Sequence, residues 1–143
     1  MTTPTQFHQK AFVKEQWIDL YGHMNMAHYV AVLDELGHQI LERFGMGESY
    51  TATQNCGLFT VDARVRYLKE LRAGDPLRVE LTPLRFDEKR LITKVDLYHD
   101  EAGYLSATME QTAVNVDLAT RRATNFTPDA VAMLQKMMDI HGE

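Results

Sequence analysis

The chain has a single cysteine, Cys56, so it can form no internal disulfide framework and cannot supply the thiols of a cysteine-rich zinc site. No basic run is present, and 15 Lys and Arg against 20 Asp and Glu leave a formal charge of -5. That balance argues against a grip on a nucleic-acid backbone. No long apolar run occurs either. The longest uncharged stretch, Leu20 to Leu33, is interrupted by Gly22, His23, Asn25 and His28, so no bilayer span is expected. The first ten residues lack a basic start followed by an apolar stretch, which predicts no secretory leader and a cytoplasmic location. Four prolines and eight glycines are scattered, with no linker-like tract and no internal repeat. What is present is 45% hydrophobic and 24% charged residues over 143 positions. These are the proportions of one globular domain spanning 1–143.

Residues His8 to Ile18 read as β-like, followed by a turn from Asp19 to Asn25 around Gly22. The period then changes. Tyr29, Val32, Leu33, Leu36, Ile40 and Phe44 form one helical stripe, widened by Val30 and Leu41 and ended at Gly45 and Gly47. Such a wide stripe predicts a helix covered on more than one side. Thr51 to Asn55 reads as polar loop. Phe59, Val61, Val65 and Tyr67 alternate with polar residues, predicting a half-buried strand. Three further strands are expected, starting near Leu77, Arg90 and Tyr104, with turns at Asp87–Lys89 and Asp100–Gly103. Thr127 and Pro128 open a terminal amphipathic helix. Short connections imply antiparallel neighbours, and so an α+β domain with one helix against one curved sheet. A lone sheet leaves edges that self-association would cover.

The chemically informative segment is WIDLYGHMNMAHY, which sets Asp19, Gly22, His23 and Asn25 directly before the buried helix. An aspartate, with an ordinary pKa near 3.9, is ionised at neutral pH and suits a base or nucleophile. The amides opening a helix are otherwise unpaired and carry partial positive charge, suited to an oxygen that gains charge. Turn and cap formation explain the same residue types, with Asn25 as an N-cap. Tyr29 suits packing in the helix's first turn. His23 and His28 have no evident further ligands, so no metal is expected.

With YLKELRAGDPL, FDEKRL and SATMEQTAVNVD further on, this segment resembles the hotdog-fold thioesterases of the 4-hydroxybenzoyl-CoA thioesterase type, over nearly the whole chain. IDLYGHMN, FTVDARVRYL and ATMEQ look most similar to the branch containing betainyl-CoA thioesterases. The spacing is also similar to that of plant acyl-acyl-carrier-protein thioesterases, which carry an Asn where this chain has Tyr21. The resemblance implies a curved antiparallel sheet wrapped around one long helix. It implies hydrolysis of a short or medium acyl-CoA, betainyl-CoA among the options, without metal or redox cofactor. The assembly it implies is a homodimer or a dimer of dimers with the site at the subunit interface. Asp19 is then the base or nucleophile, with His23 and Asn25 beside it and carbonyl donors from the backbone of Gly22 to Met24. Tyr21, Tyr29 and Glu110 are candidate substrate contacts, and Arg64, Arg66, Lys89 and Arg90 candidate phosphate contacts. A non-catalytic acyl-CoA-binding module and an enoyl-CoA hydratase or dehydratase are the alternatives.

Overall fold

A computed structural model describes residues 3–142. After a short 3-10 turn the elements are β1 (His8–Phe12), α1 (Met26–Glu42), α2 (Glu48–Gln54), β2 (Cys56–Tyr67), β3 (Pro76–Phe86), β4 (Arg90–His99), β5 (Leu105–Asp117), β6 (Arg122–Ala123) and α3 (Pro128–Gly142), with a second 3-10 turn at Glu15–Trp17. The main strands pair antiparallel in the order β1-β3-β4-β5-β2, and β6 adds to β5.

The helical stripe is why α1 lies inside the curl of this sheet. Tyr29, Val32, Leu33, Leu36, Gly37, Ile40 and Leu41 are buried, more than a surface helix needs for one contact. Facing them from the sheet are Leu77, Val79, Leu81, Leu91, Val95, Leu97, Ala107 and Met109, alternate residues of three strands. The chain leaves α1 through Gly45, whose φ of 75° suits glycine. A Cβ there would also come within 2.6 Å of the Met133 sulfur on α3. At the other end of the fold the Thr127 hydroxyl accepts the Ala130 N–H at 3.1 Å, so α3 is capped as its sequence predicts. Among the described residues no helix is long and apolar enough to cross a membrane.

Three elements depart from the sequence reading. Thr51 to Gln54, expected as loop, lie in α2, because Tyr50 is buried and anchors a short helix that polar residues otherwise cover. The β-like stretch ends at Phe12, and Glu15–Trp17 form a 3-10 turn. Strand β2 is not half-buried: Phe59, Val61 and Tyr67 are 43%, 63% and 45% exposed. It is an outer strand of the sheet, and a bulge between Thr60 and Asp62 breaks the alternation that its sequence suggests.

One buried polar knot ties α2 to the strand return. The Tyr50 hydroxyl donates to Asn115 Oδ1. Asn115 Nδ2 donates to the Thr124 and Asn125 carbonyls at 3.0 and 3.2 Å. Burial first, then the neighbouring Cys56, push the Tyr50 phenol above its ordinary range, although the Asn115 bond opposes this. Substituting Asn115→Ala strands a buried phenol and two carbonyls, each worth about 1–3 kcal/mol when unpaired. Urea denaturation is expected to show a loss of about 3 kcal/mol. A loss under about 1 kcal/mol would mean that water takes the amide's place.

Candidate active site

The loop before α1 is fixed by its own backbone. Ile18 and Met24 form an antiparallel bridge. Around it the Asp19 N–H donates to the His23 carbonyl at 3.1 Å and the Asn25 N–H to the Trp17 carbonyl at 2.9 Å. At the tip the Gly22 N–H donates to the Asp19 carbonyl at 3.1 Å, closing a four-residue turn. Gly22 has a φ of +85°, and an added Cβ would meet nothing within 4 Å. Glycine is therefore placed there by backbone conformation and not by crowding. The half-buried Asp19 carboxylate accepts the Tyr21 N–H on Oδ1 at 2.9 Å, so its own turn aims it.

The sequence places the carbonyl donors at Gly22 to Met24, and of these three amides the structure leaves that of His23 without a partner among the described residues. Gly22 N–H is held by Asp19, and Met24 N–H donates to the Leu71 carbonyl at 2.9 Å. In the first turn of α1, Asn25 Oδ1 accepts the Ala27 N–H at 2.9 Å and the Asn25 carbonyl accepts the His28 N–H at 3.0 Å. The Met26 N–H is then the opening amide of α1 with no partner among the described residues.

Beside it lies a cleft of about 330 Å³ lined by His23, Met24, Met26, Tyr29, Tyr67, Leu68, Lys69 and Glu70. His23 Nδ1 stands 2.9 Å from the Met24 carbonyl, which can only accept. Nδ1 is therefore the donor in this contact, which leaves Nε2 as the ring nitrogen without a partner among the described residues. Tyr29 is buried, and its hydroxyl accepts the Leu71 N–H at 2.9 Å while its ring meets Tyr67 edge-on at 5.5 Å. The packing role expected of Tyr29 is what the structure shows, and its ring also walls the cleft. Tyr67 donates to the Met26 carbonyl at 3.2 Å, clamping the end of β2 onto the start of α1.

Of the residues singled out in the sequence, Asp19, Gly22, His23 and Asn25 share one loop. Tyr21 is 76% exposed and stacks on His23 with ring centres 6.4 Å apart. Trp17 stacks on His28 and carries Lys14 over its ring. Glu110 is exposed and faces Arg64 and Lys94 across its neighbours, on the sheet face turned away from α1; Arg64 and Arg66 share that face. Lys89 and Arg90 sit at the β3–β4 turn, where Asp87 Oδ1 accepts both their N–H groups. Those two amides hold the Asp87 carboxyl below its ordinary range. Within one chain this turn lies at the opposite end of β4 and β5 from the cleft. Missed altogether were Met26, Tyr67, Leu68, Lys69 and Glu70. Their link to the helix start is a long-range contact with no local pattern. Among the described residues no group of three His, Cys, Asp or Glu could hold a metal.

Residues 13–134 match the thioesterase-like superfamily. An L-carnitine dehydrogenase/betainyl-CoA thioesterase of Agrobacterium fabrum is 31% identical over 137 residues, covering 94% of this chain but only 27% of that longer protein. A betainyl-CoA thioesterase of Pseudomonas aeruginosa is 26% identical, over 90% of this chain and 81% of its own length. Among solved structures, a Staphylococcus aureus protein in complex with CoA superposes with a TM-score of 0.86 at 25% identity, covering 93% of this chain and 84% of that one. A 1,4-dihydroxy-2-naphthoyl-CoA thioesterase from Synechocystis superposes at 0.80 with 17% identity, over 92% and 96%, a likeness of fold.

The Asn25 contact makes a separable prediction. Asn25→Ala should lower stability by about 1 kcal/mol through loss of the cap, and Asn25→Ser should restore most of it. Chemical denaturation of both variants checks this. A serine variant as weak as the alanine one would deny that capping is what Asn25 does for the fold.

Proposed function

The chain belongs to the thioesterase-like superfamily, and from that membership we propose that it hydrolyses a short or medium acyl-CoA thioester to the free acid and CoA. The observation that carries this reading is the unpartnered Met26 amide at the start of α1, beside a cleft that His23 also lines, with the turn-held Asp19 carboxylate on the same loop though outside that lining. The thioester carbonyl accepts from the Met26 N–H, where the helix end favours negative charge. Asp19 removes a proton from water as the water adds to the carbonyl carbon, or attacks that carbon itself to give an anhydride that water then opens. In both routes the C–S bond breaks, the thiolate of CoA leaves and takes up a proton, and the carboxylic acid product ionises. His23, with Nε2 free, holds the water or the thioester sulfur side of the cleft. The named betainyl-CoA thioesterase relatives support a betaine-like acyl group as one substrate.

The working unit of this proposal is a homodimer. Strand β2 is twelve residues long, lies at the border of the sheet and exposes Phe59 and Val61. A long apolar edge of this kind is an association site. Two copies pairing antiparallel along β2 are related by a two-fold axis, so Cys56 and Tyr67 change places across the join. The β3–β4 turn of one subunit, with Lys89 and Arg90, then approaches the cleft of the other. Arginine and lysine there suit the CoA phosphates, with Arg64 and Arg66 along the outer face.

Two outcomes test this. Asp19→Asn should keep the fold and lower kcat for acyl-CoA hydrolysis by about 10² or more, measured as thiol release. Unaltered turnover would remove Asp19 from the chemistry. Phe59→Glu with Val61→Glu, which sets like charges about the join, should turn a particle of twice the 16.4 kDa chain mass into a monomer with little activity, read by light scattering. A wild-type monomer with full turnover would overturn the dimer.

A further inference from the structure

A second space opens between α1 and the concave face of the sheet, about 340 Å³ in volume, and its lining is not what a wrapped helix requires. The row of inward residues on β4 is Leu91, Thr93, Val95 and Leu97, one hydroxyl among aliphatics. Thr93 is 2% exposed, lines this space, and makes no side-chain hydrogen bond among the described residues. Directly across the ladder from Thr93 is Gln111 on β5. Gln111 Oε1 accepts the Thr60 hydroxyl at 3.2 Å, which leaves its amide N–H groups free. Thr93, Gln111 and Thr60 thus form a polar row across three strands, on the face of the sheet that packs on α1. Opposite them on α1 stand Asp34 and, one turn on, His38; no lysine or arginine lines the space. Asp34 also borders the open concavity on the outer side of α1 with Glu35 and Glu42, so the field at the mouth is negative.

We propose that this groove, contributed by the partner subunit, receives the acyl end of the substrate and selects a compact, positively charged group, with Asp34 as its counter-ion and the Thr60–Gln111–Thr93 row as its polar floor. The inference rests on the thioesterase and dimer readings above. Within one subunit Asp34 lies nine residues beyond Asn25, about 13 Å along the helix axis, too far from the Met26 amide to meet a charge one methylene from the carbonyl. The two-fold exchange along β2 removes that distance. Leu58 and Thr60, at the Cys56 end of the strand, line the groove, while Tyr67 at the other end lines the cleft. Pairing β2 with its copy therefore sets the groove of one subunit against the cleft of the other. An aliphatic tail there would leave the buried Thr93 hydroxyl and Gln111 amide unsatisfied, and an anionic one would meet Asp34.

The test uses two thioesters of the same shape that differ in charge: betainyl-CoA and 3,3-dimethylbutyryl-CoA. Wild type is expected to favour the cationic one in kcat/KM by on the order of tenfold or more. Asp34→Asn should bring that ratio close to one through KM, while Asp139→Asn, removing the same charge on α3 away from the groove, should leave it as in wild type. Thr93→Val should shift the ratio toward the neutral thioester and raise the thermal midpoint. A ratio that Asp34→Asn does not move, or a wild type that hydrolyses other acyl-CoA esters but neither of this pair, would overturn the groove's assignment. A wild type that hydrolyses no acyl-CoA would overturn the activity instead. In that case the calorimetric Kd of betainyl-CoA still decides: weaker binding to Asp34→Asn upholds the groove, and equal binding sinks it.

Discussion

A helix enclosed by a curved sheet cannot be hydrated along its length, so its two ends and one exposed stripe are all that meet solvent. In this chain the enclosure buries seven residues of a seventeen-residue helix and leaves the charged stripe of Asp34, Glu35 and Glu42 outside. The enclosure also decides what the first turn can do. Asn25 satisfies Ala27 and His28, Leu71 satisfies Met24, and the Met26 amide is left facing the cleft rim. That end is open to solvent, Met26 being 64% exposed, so the partial charge of its amide counts for most once a bound molecule displaces the water there.

The same constraint explains why Asp19 is held by its own loop. A carboxylate that must act on a substrate cannot also be spent in a strong ion pair. Among the described ion pairs Arg72 holds Glu70 at 2.8 Å, and Arg78 holds Glu80 and Asp100, on β3 and beyond. There burial raises the Asp100 carboxyl, but Arg78 and Lys10 override it and hold it below the usual carboxylate range. Asp19 instead accepts a single backbone N–H, which orients it without neutralising it. The turn former and the proposed reactive group are thus the same side chain. Capping statistics and chemistry both point to this residue, and neither alone separates the two roles.

Much of this was legible in the sequence because it is written in local periods. The stripe from Tyr29 to Ile40, the alternation of Leu77, Val79 and Leu81, and the Thr127–Pro128 start of α3 each need only a short window. The curl of the sheet around α1 followed from the resemblance and from a stripe too wide for one contact. What was not legible depends on distance along the chain. Tyr67 meets Met26 across forty-one positions, and Tyr50 meets Asn115 across sixty-five. β2 borders the sheet, and the bulge after Thr60 reverses the side-chain phase, so Phe59 does not continue the core-facing row of Val65. Gly22 was rightly placed in the turn, yet its amide closes that turn and is not free for a ligand.

The polar row on the concave face shows where fold and function pull apart. For stability alone, leucine or valine at 93 would continue the β4 row that packs on α1, whereas Thr93 and the half-buried Gln111 set polar groups beside an open space. A chain stable by only some 5–15 kcal/mol does not carry such groups without consequence. Thr60 relieves one of them by pairing with Gln111, which shows that the row is a connected surface and not an isolated substitution. The remaining capacity, the Thr93 hydroxyl and the Gln111 amide, faces an open space that ends at a carboxylate. Polar groups without protein partners beside an open groove, next to a charge of one sign, fit the proposal of a ligand that arrives from outside. Their place near one end of β2, with the cleft beside α1 near the other, makes the edge strand the element on which the proposed recognition and the proposed chemistry meet.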